Sequence, residues 1–346
     1  MTTAETVDQP LGPVTDTDTA GFDAVTPWAE EDWRAGALSW VAESLARRGL
    51  KPSADGLRVR LRPWSVLVRV PVEGGSPVWF KANPPASRFE PALATALHSW
   101  VPGQVLEPLA VDTERGWTLH PHGGELFGDL AADPQAWQDA LLQYAVLQRT
   151  VSAHRDELLA FGLPDLRPAM LGPVFGLLTH RTGGLDDHVH GALRQLAGRF
   201  AGWCAELDAS GIAATLDHSD LQEGQMFRAG GGSYVFHDWD AASVAMPFTS
   251  LLVVARVVRE RFGEEAPAVL ARLRDVYLEP WTDDGHSLPE LRRLADLATR
   301  VGPMGRAVRA LAPGRMFPGS ELDLRAMHSV GVQEGLAAAC GLMLAD

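Results

Sequence analysis

The side chains best suited to chemistry lie together in residues 216–240. The run reads Leu-Asp-His-Ser-Asp-Leu-Gln-Glu-Gly-Gln-Met-Phe, then a short turn, then Tyr-Val-Phe-His-Asp-Trp-Asp. Met226–Phe227 and Tyr234–Phe236 have strand character, and Gly230, Gly231, Gly232 and Ser233 supply the turn between them. A hairpin brings its two outer ends together. Asp220 precedes the first strand and Asp238 follows the second, so two carboxylates converge, with His218 and Gln225 close by. One carboxylate can orient or deprotonate an attacking hydroxyl. The other, with an amide oxygen, can hold the magnesium that bridges nucleotide phosphates. The pattern suits phosphoryl transfer.

The elements that must position these groups can be read along the chain. Residues 1–26 are rich in Thr, Asp, Ala and Pro and predict a mobile tail. Thr26-Pro27 reads as an N-cap and first helical residue, and Trp33, Leu38, Val41 and Leu45 recur at helical spacing as far as Gly49. The period then falls to two. Leu57, Val59 and Leu61 alternate with Arg58, Arg60 and Arg62, a half-buried strand that Pro63 ends. Residues 64–72 and 78–81 read as further strands around the turn Glu73-Gly74-Gly75-Ser76, a helix is expected over 89–99, and short strands over 105–111 and 116–119. Beyond Leu119 the chain turns mainly helical, with helices expected at 134–151, 188–209, 247–262, 266–278, 288–300, 303–311 and 321–344.

The run His218-Ser219-Asp220-Leu221-Gln222-Glu223-Gly224-Gln225, followed by Asp238-Trp239-Asp240, resembles the catalytic and metal loops of the aminoglycoside phosphotransferase/choline kinase family. The resemblance covers roughly residues 28–260. It implies an α+β, two-lobed protein-kinase-like fold. Residues 27–118 would form a small antiparallel-sheet N-lobe and 119–346 a larger, mainly helical C-lobe, with ATP between them. It further implies that Asp220 is the catalytic carboxylate, that Gln225 and Asp238 are magnesium ligands and that His218 braces the loop. The family mostly carries Asn where this chain has Gln225, the same carbonyl oxygen one methylene farther out.

Lys81, one of only two lysines beside many arginines, ends the aromatic strand Val78-Trp79-Phe80. In an arbitrary protein it would snorkel to solvent. By the resemblance it holds the α/β-phosphates, and Glu90, the first acidic residue after it, is its expected partner. A charge in the first turn of a helix is the plainer account of Glu90. A glycine-rich phosphate loop is missing. Arg62-Pro63-Trp64-Ser65 stands in its place, with Ser65 and backbone N–H groups to meet phosphates and Arg62 to assist. Asp240 reads as an N-cap or loop residue rather than a second metal ligand.

Composition narrows the class. The 346 residues are 46% hydrophobic, enough for a sizeable core, and the net charge of −14 disfavours nucleic acid and anionic membranes as partners. No basic-then-apolar leader and no apolar run near ~20 residues is present, so a cytoplasmic protein is expected. Cys204 and Cys340 sit in helical patterns and read as buried thiols. Asp186-Asp187, Glu264-Glu265 and Asp283-Asp284 read as solvated surface charge. The expected activity is ATP- and Mg2+-dependent transfer of the γ-phosphoryl group to a hydroxyl of a small molecule, whether aminoglycoside, sugar or other natural product. The alternative is a nucleotide-binding module without chemistry, motivated by Gln225 and the missing glycine loop. Neither acceptor nor oligomeric state is legible.

Overall fold

A six-stranded sheet and a set of helices carry the candidate residues. The computed structural model describes residues 11–181, 187–310 and 312–319, and of 177–181, 187–190 and 310 only the backbone. Among these the chain divides into two compact units. The first holds the residues up to Thr95, Leu106–His122 and the segment from Pro313; the second holds Ala96–Val105 and Gly123–Ala312.

The first unit contains β1 (Val14–Asp18), α1 (Glu31–Arg47), β2 (Leu57–Arg62), β3 (Ser65–Val70), β4 (Val78–Ala82), the start of α2 (Glu90–Trp100), β5 (Ala110–Asp112) and β6 (Trp117–His120). Strand order is β1-β2-β3-β4-β6-β5. All neighbours are antiparallel except β1 and β2. The period-two pattern sorts residues to faces. Leu57 and Val59 are buried while Arg58 and Arg60 face solvent. Phe80 of β4 packs edge-on against Trp40 of α1 and Trp117 of β6, at 5.9 and 5.6 Å between ring centroids. Such edge-to-face pairs add to the stabilisation from area burial. Lys81, one residue on, must therefore lie on the opposite face of the sheet.

Features of both units depart from the sequence reading. Val14–Asp18, inside the expected mobile tail, is an edge strand whose Asp18 pairs with Arg62 at 2.8 Å. Opposite charge on neighbouring strands holds what apolar periodicity did not announce. Thr26-Pro27 opens a short 3-10 turn, Pro27–Ala29, without a side-chain cap, and α1 begins only at Glu31. Phe317 joins the first unit's core and donates its N–H to Pro63 O at 2.9 Å, though it follows Gly123–Ala312 of the second unit in sequence.

The second unit contains β7 (Glu125–Leu126), α3 (Pro134–Val151), α4 (Arg155–Ala160), β8 (Asp165–Leu166), α5 (Pro168–Arg181), α6 (Asp187–Ala209), β9 (Thr215–Asp217), β10 (Met226–Arg228), β11 (Tyr234–Phe236), β12 (Ser243–Ala245), α7 (Leu251–Phe262), α8 (Ala266–Leu278) and α9 (Leu288–Ala310). The α3 and α8 boundaries coincide with the periodic runs. The helix α5 was not foreseen; Pro173 and two glycines interrupt its pattern. Pro303 lies inside α9 and does not split it. Asp283 and Asp284, read as plain surface charge, both pair with Arg149 of α3, at 2.9 and 2.8 Å. Burial, then Asp208, pushes the Cys204 thiol up to about 12, so it stays protonated at neutral pH. The helix expected at 321–344, Cys340 and Asp186 lie outside the described residues.

Truncating Phe317 tests whether the late segment belongs to the first unit. Phe317→Ala is expected to cost about 3 kcal/mol, as large-to-small core changes do. Denaturant unfolding followed by tryptophan fluorescence measures it. A loss near zero would detach this segment from the core.

Candidate active site

The candidate residue of the first unit is Lys81. Strand alternation turns it away from the α1 face, and it is nonetheless buried. Its ammonium meets Glu90 Oε2 at 2.8 Å, with side-chain exposures of 7% and 1%. Asn83, two residues on and so on the same face of the chain, donates its amide to the same oxygen at 2.7 Å. Desolvating two charges is costly, and the pair persists because geometry and this extra hydrogen bond are good. Asn83 was missed in the sequence because a lone amide after a strand carries no pattern. Ser65 begins β3, opposite Arg62, and is 4% exposed. The turn itself is Pro63-Trp64, too tight for a glycine-type cradle. Arg62 is engaged by the Asp18 carboxylate and backbone oxygen, at 2.8 and 3.0 Å.

In the second unit two loops are closed at both ends by strand pairing. Residues 218–225 leave β9 and enter β10; residues 237–242 leave β11 and enter β12. β10 pairs antiparallel with β11, Met226 opposite Phe236, and β12 pairs antiparallel with β9, Ser243 opposite Asp217. The His237 N–H donates to Gln225 O at 3.1 Å, continuing the hairpin ladder. The expected hairpin is present, with Gly231 at φ 78° and Gly232 at φ 83° in its turn, which glycine alone adopts freely.

Asp220 is oriented by two amides. Gln222 Nε2 donates to Asp220 Oδ2 at 3.0 Å and Gln225 Nε2 to the same oxygen at 3.3 Å. Gln222 had no role in the sequence reading. Leu221 is buried and anchors the next position. Glu223 is held by the forked guanidinium of Arg261 on α7, at 2.5 and 2.6 Å. His218, fully buried, lies 2.9 Å from His237 O through Nε2. A carbonyl only accepts, so Nε2 carries the proton. This bond joins the loop of Asp220 to the residue before Asp238. The His218 ring also lies against Trp239, 4.6 Å between centroids.

Asp238 has left-handed backbone, φ 64° and ψ 64°. Non-glycine residues are held there by their surroundings, and such positions cluster at functional sites. One oxygen of Asp238 and one of Asp240 lie within 4.8 Å of each other. Two oxygens on opposite sides of one Mg2+ are separated by about 4.2 Å, twice the usual 2.1 Å bond. The hard oxygen donors are of the kind magnesium takes, and the pair need close by no more than a fraction of an ångström to share one ion. Asp240 sits within the 3-10 turn Trp239–Ala241, and the cap position belongs to Asp238, so the N-cap reading of Asp240 fails. The amide nitrogen of Gln225 is engaged by Asp220, which leaves its carbonyl oxygen as the atom available to a cation.

Beneath the loop runs a buried polar network. Tyr144 of α3 accepts the His218 N–H at 2.9 Å, and Gln148 donates to Leu216 O at 2.7 Å. Burial, then the Asp217 charge, pushes the Tyr144 hydroxyl far above the ordinary phenol range. It stays protonated and faces Ser250 Oγ at 3.3 Å.

No family model and no curated protein matches the sequence. Solved structures do match. Macrolide 2'-phosphotransferase MphH of Brachybacterium faecium is 15% identical, with 90% of this chain and 99% of that one covered and a TM-score of 0.54. An ethanolamine kinase of Plasmodium vivax is 14% identical, with 90% and 89% covered and a TM-score of 0.53. An APH(2") enzyme solved with GDP and kanamycin is 16% identical, with 88% and 98% covered and a TM-score of 0.53. These likenesses establish the fold. The chain has an α+β kinase-like fold, and its structural neighbours are phosphotransferases and kinases of small molecules.

Glu90→Ala is expected to destabilise by about 3–5 kcal/mol, as removing one partner of a buried ion pair does. Replacing both partners, Lys81→Met with Glu90→Leu, is expected to recover most of that in denaturant unfolding. Equal losses in the single and double variants would show that the pair is not the source.

Proposed function

We propose that this protein is an ATP- and magnesium-dependent phosphotransferase that moves the γ-phosphoryl group to a hydroxyl of a small molecule, an aminoglycoside, sugar or other natural product. The observation that carries the reading is the paired loop end in the second unit. There the His218–His237 bond, 2.9 Å, ties the loop of the amide-oriented Asp220 to the residue preceding Asp238. The kinase-like fold supports it, as do neighbours solved as a macrolide 2'-phosphotransferase, an ethanolamine kinase and a GDP–kanamycin complex.

In this reading Lys81, steadied by Glu90 and Asn83, binds the α/β-phosphates, with Ser65 a further contact. Asp238, Asp240 and the Gln225 carbonyl would hold magnesium, which when bound neutralises phosphate charge. Asp220 receives the acceptor hydroxyl proton as the new P–O bond forms and the bond to ADP breaks. Positioning and charge neutralisation supply most of the rate. The protein works on small molecules in the cytoplasm, without a nucleic-acid or membrane partner. Among the described residues no helix is long and apolar enough to cross a membrane. The tight Pro63-Trp64 turn, without a glycine cradle, favours a second reading, a nucleotide-binding module that does no chemistry.

An acceptor panel of aminoglycosides, macrolides, sugars and amino alcohols, scored by ADP release and by phosphoryl gain in mass spectrometry, separates the two. ATP binding without transfer or hydrolysis supports the module. Asp220→Ala is expected to lower kcat by about 10²–10⁴-fold, the usual worth of general acid–base groups, with ATP affinity retained. Unaltered turnover would remove Asp220 from the chemistry.

A further inference from the structure

Among the described residues only Ala20, Ser219 and Asp238 are non-glycine with positive φ. Two of these three flank the proposed chemistry. Ser219, at φ 59°, immediately precedes Asp220. A side chain disfavours that backbone, because its Cβ crowds the neighbouring carbonyl. Something must hold it, and the torsions at Ser219 set where the Asp220 side chain points.

The neighbours of Ser219 supply the answer. Asp217 Oδ1 accepts the Ser219 N–H at 3.1 Å, and Oδ2 accepts the Ser219 hydroxyl at 3.3 Å. This is the local side-chain-to-backbone turn that lets a residue rest in unfavourable torsions. The carboxylate is itself fixed. Ser250 Oγ donates to Oδ1 at 2.6 Å and Thr249 Oγ1 to Oδ2 at 3.0 Å. Ser243 Oγ lies 3.1 Å from Ser219 Oγ, and Arg306 of α9 donates to Ser219 O at 3.2 Å. Asp217 is 6% exposed. Among the described residues its partners are hydroxyls and a backbone N–H rather than a cation. A buried carboxylate is an expensive way to fill space. Here it converts the rigid β9–β12 pair and the Thr249-Ser250 turn into a fixed orientation for the next loop.

Resting on the phosphotransfer reading, we propose that Asp217 is the positioning residue for Asp220, acting through the left-handed backbone of Ser219. It touches no reacting group. It sets the direction of the carboxylate that does.

The test pairs two readouts. Amide hydrogen exchange over residues 219–221 reports loop order without any turnover. ADP release from Mg-ATP, with water or a panel hydroxyl as acceptor, reports chemistry. Asp217→Ala is expected to speed exchange at these amides and to lower kcat by about tenfold or more, in line with small misplacements of a reacting group, with KM for ATP nearly unchanged. Asp217→Asn keeps an acceptor for the Ser219 N–H and should stay near the parent. Adding Ser219→Gly to Asp217→Ala should restore much of the loss, since glycine adopts positive φ unaided. Asp217→Ser, which keeps a hydroxyl for Thr249 and Ser250 but reaches the amide poorly, carries the comparison if the alanine variant does not fold. Unchanged exchange and kcat in the variants, or no recovery with Ser219→Gly, would overturn the proposal. A parent protein without turnover whose loop still loosens in Asp217→Ala would sink phosphotransfer and leave the positioning standing.

Discussion

The candidate chemistry depends on a ladder at each end of two short loops. β9 pairs with β12 on one side and β10 with β11 on the other. A loop free at one end samples many directions, and ordering each of its residues costs about 1–2 kcal/mol. Two loops that leave one strand pair and enter another have little freedom left. The His218–His237 bond ties the first residue of one to the first residue of the other. Asp220 and Asp238 are thus set by backbone pairing, which is cheap to maintain and hard to disturb, and the side chains only refine the geometry.

The material behind the loops is polar rather than apolar. Tyr144, Gln148, Ser250, Thr249 and Asp217 are buried and joined by hydrogen bonds of 2.6–3.3 Å. An apolar core would pack as tightly but would tolerate sliding. A satisfied polar network fixes one arrangement, because each displaced group would be left without a partner at a cost of about 1–3 kcal/mol. The Lys81–Glu90–Asn83 cluster in the first unit follows the same rule on a smaller scale. The larger network joins residues distant in sequence, the smaller one residues within ten of each other, and both hold charge in place where water is excluded.

Local periodicity made much of this legible. The alternation of β2, the turns at 73–76 and 230–233 and the boundaries of α3 and α8 are short-range features, and the structure shows them where they were expected. The missed elements have two causes. β1 is held by cross-strand charge, α5 is punctuated by proline and glycine, and Phe317 docks from far along the chain. For β1 and Phe317 no window of neighbouring residues contains the partner that decides the outcome, and for α5 the local pattern itself is interrupted.

The sequence alone determined the chemical inventory: Asp220, Gln225 and Asp238 around a hairpin, and one lysine on a strand with Glu90 shortly after. Those spacings are covalent, and a two-period strand or a glycine turn converts them directly into faces and ends. Only the tertiary structure decided which groups steady them. Asn83, Gln222 and Asp217 proved to be neighbours of the candidate residues, Asp240 came near Asp238, and Arg62 was engaged by Asp18. A hydrogen bond depends on ångström distances between groups, and those distances arise only when separate elements pack.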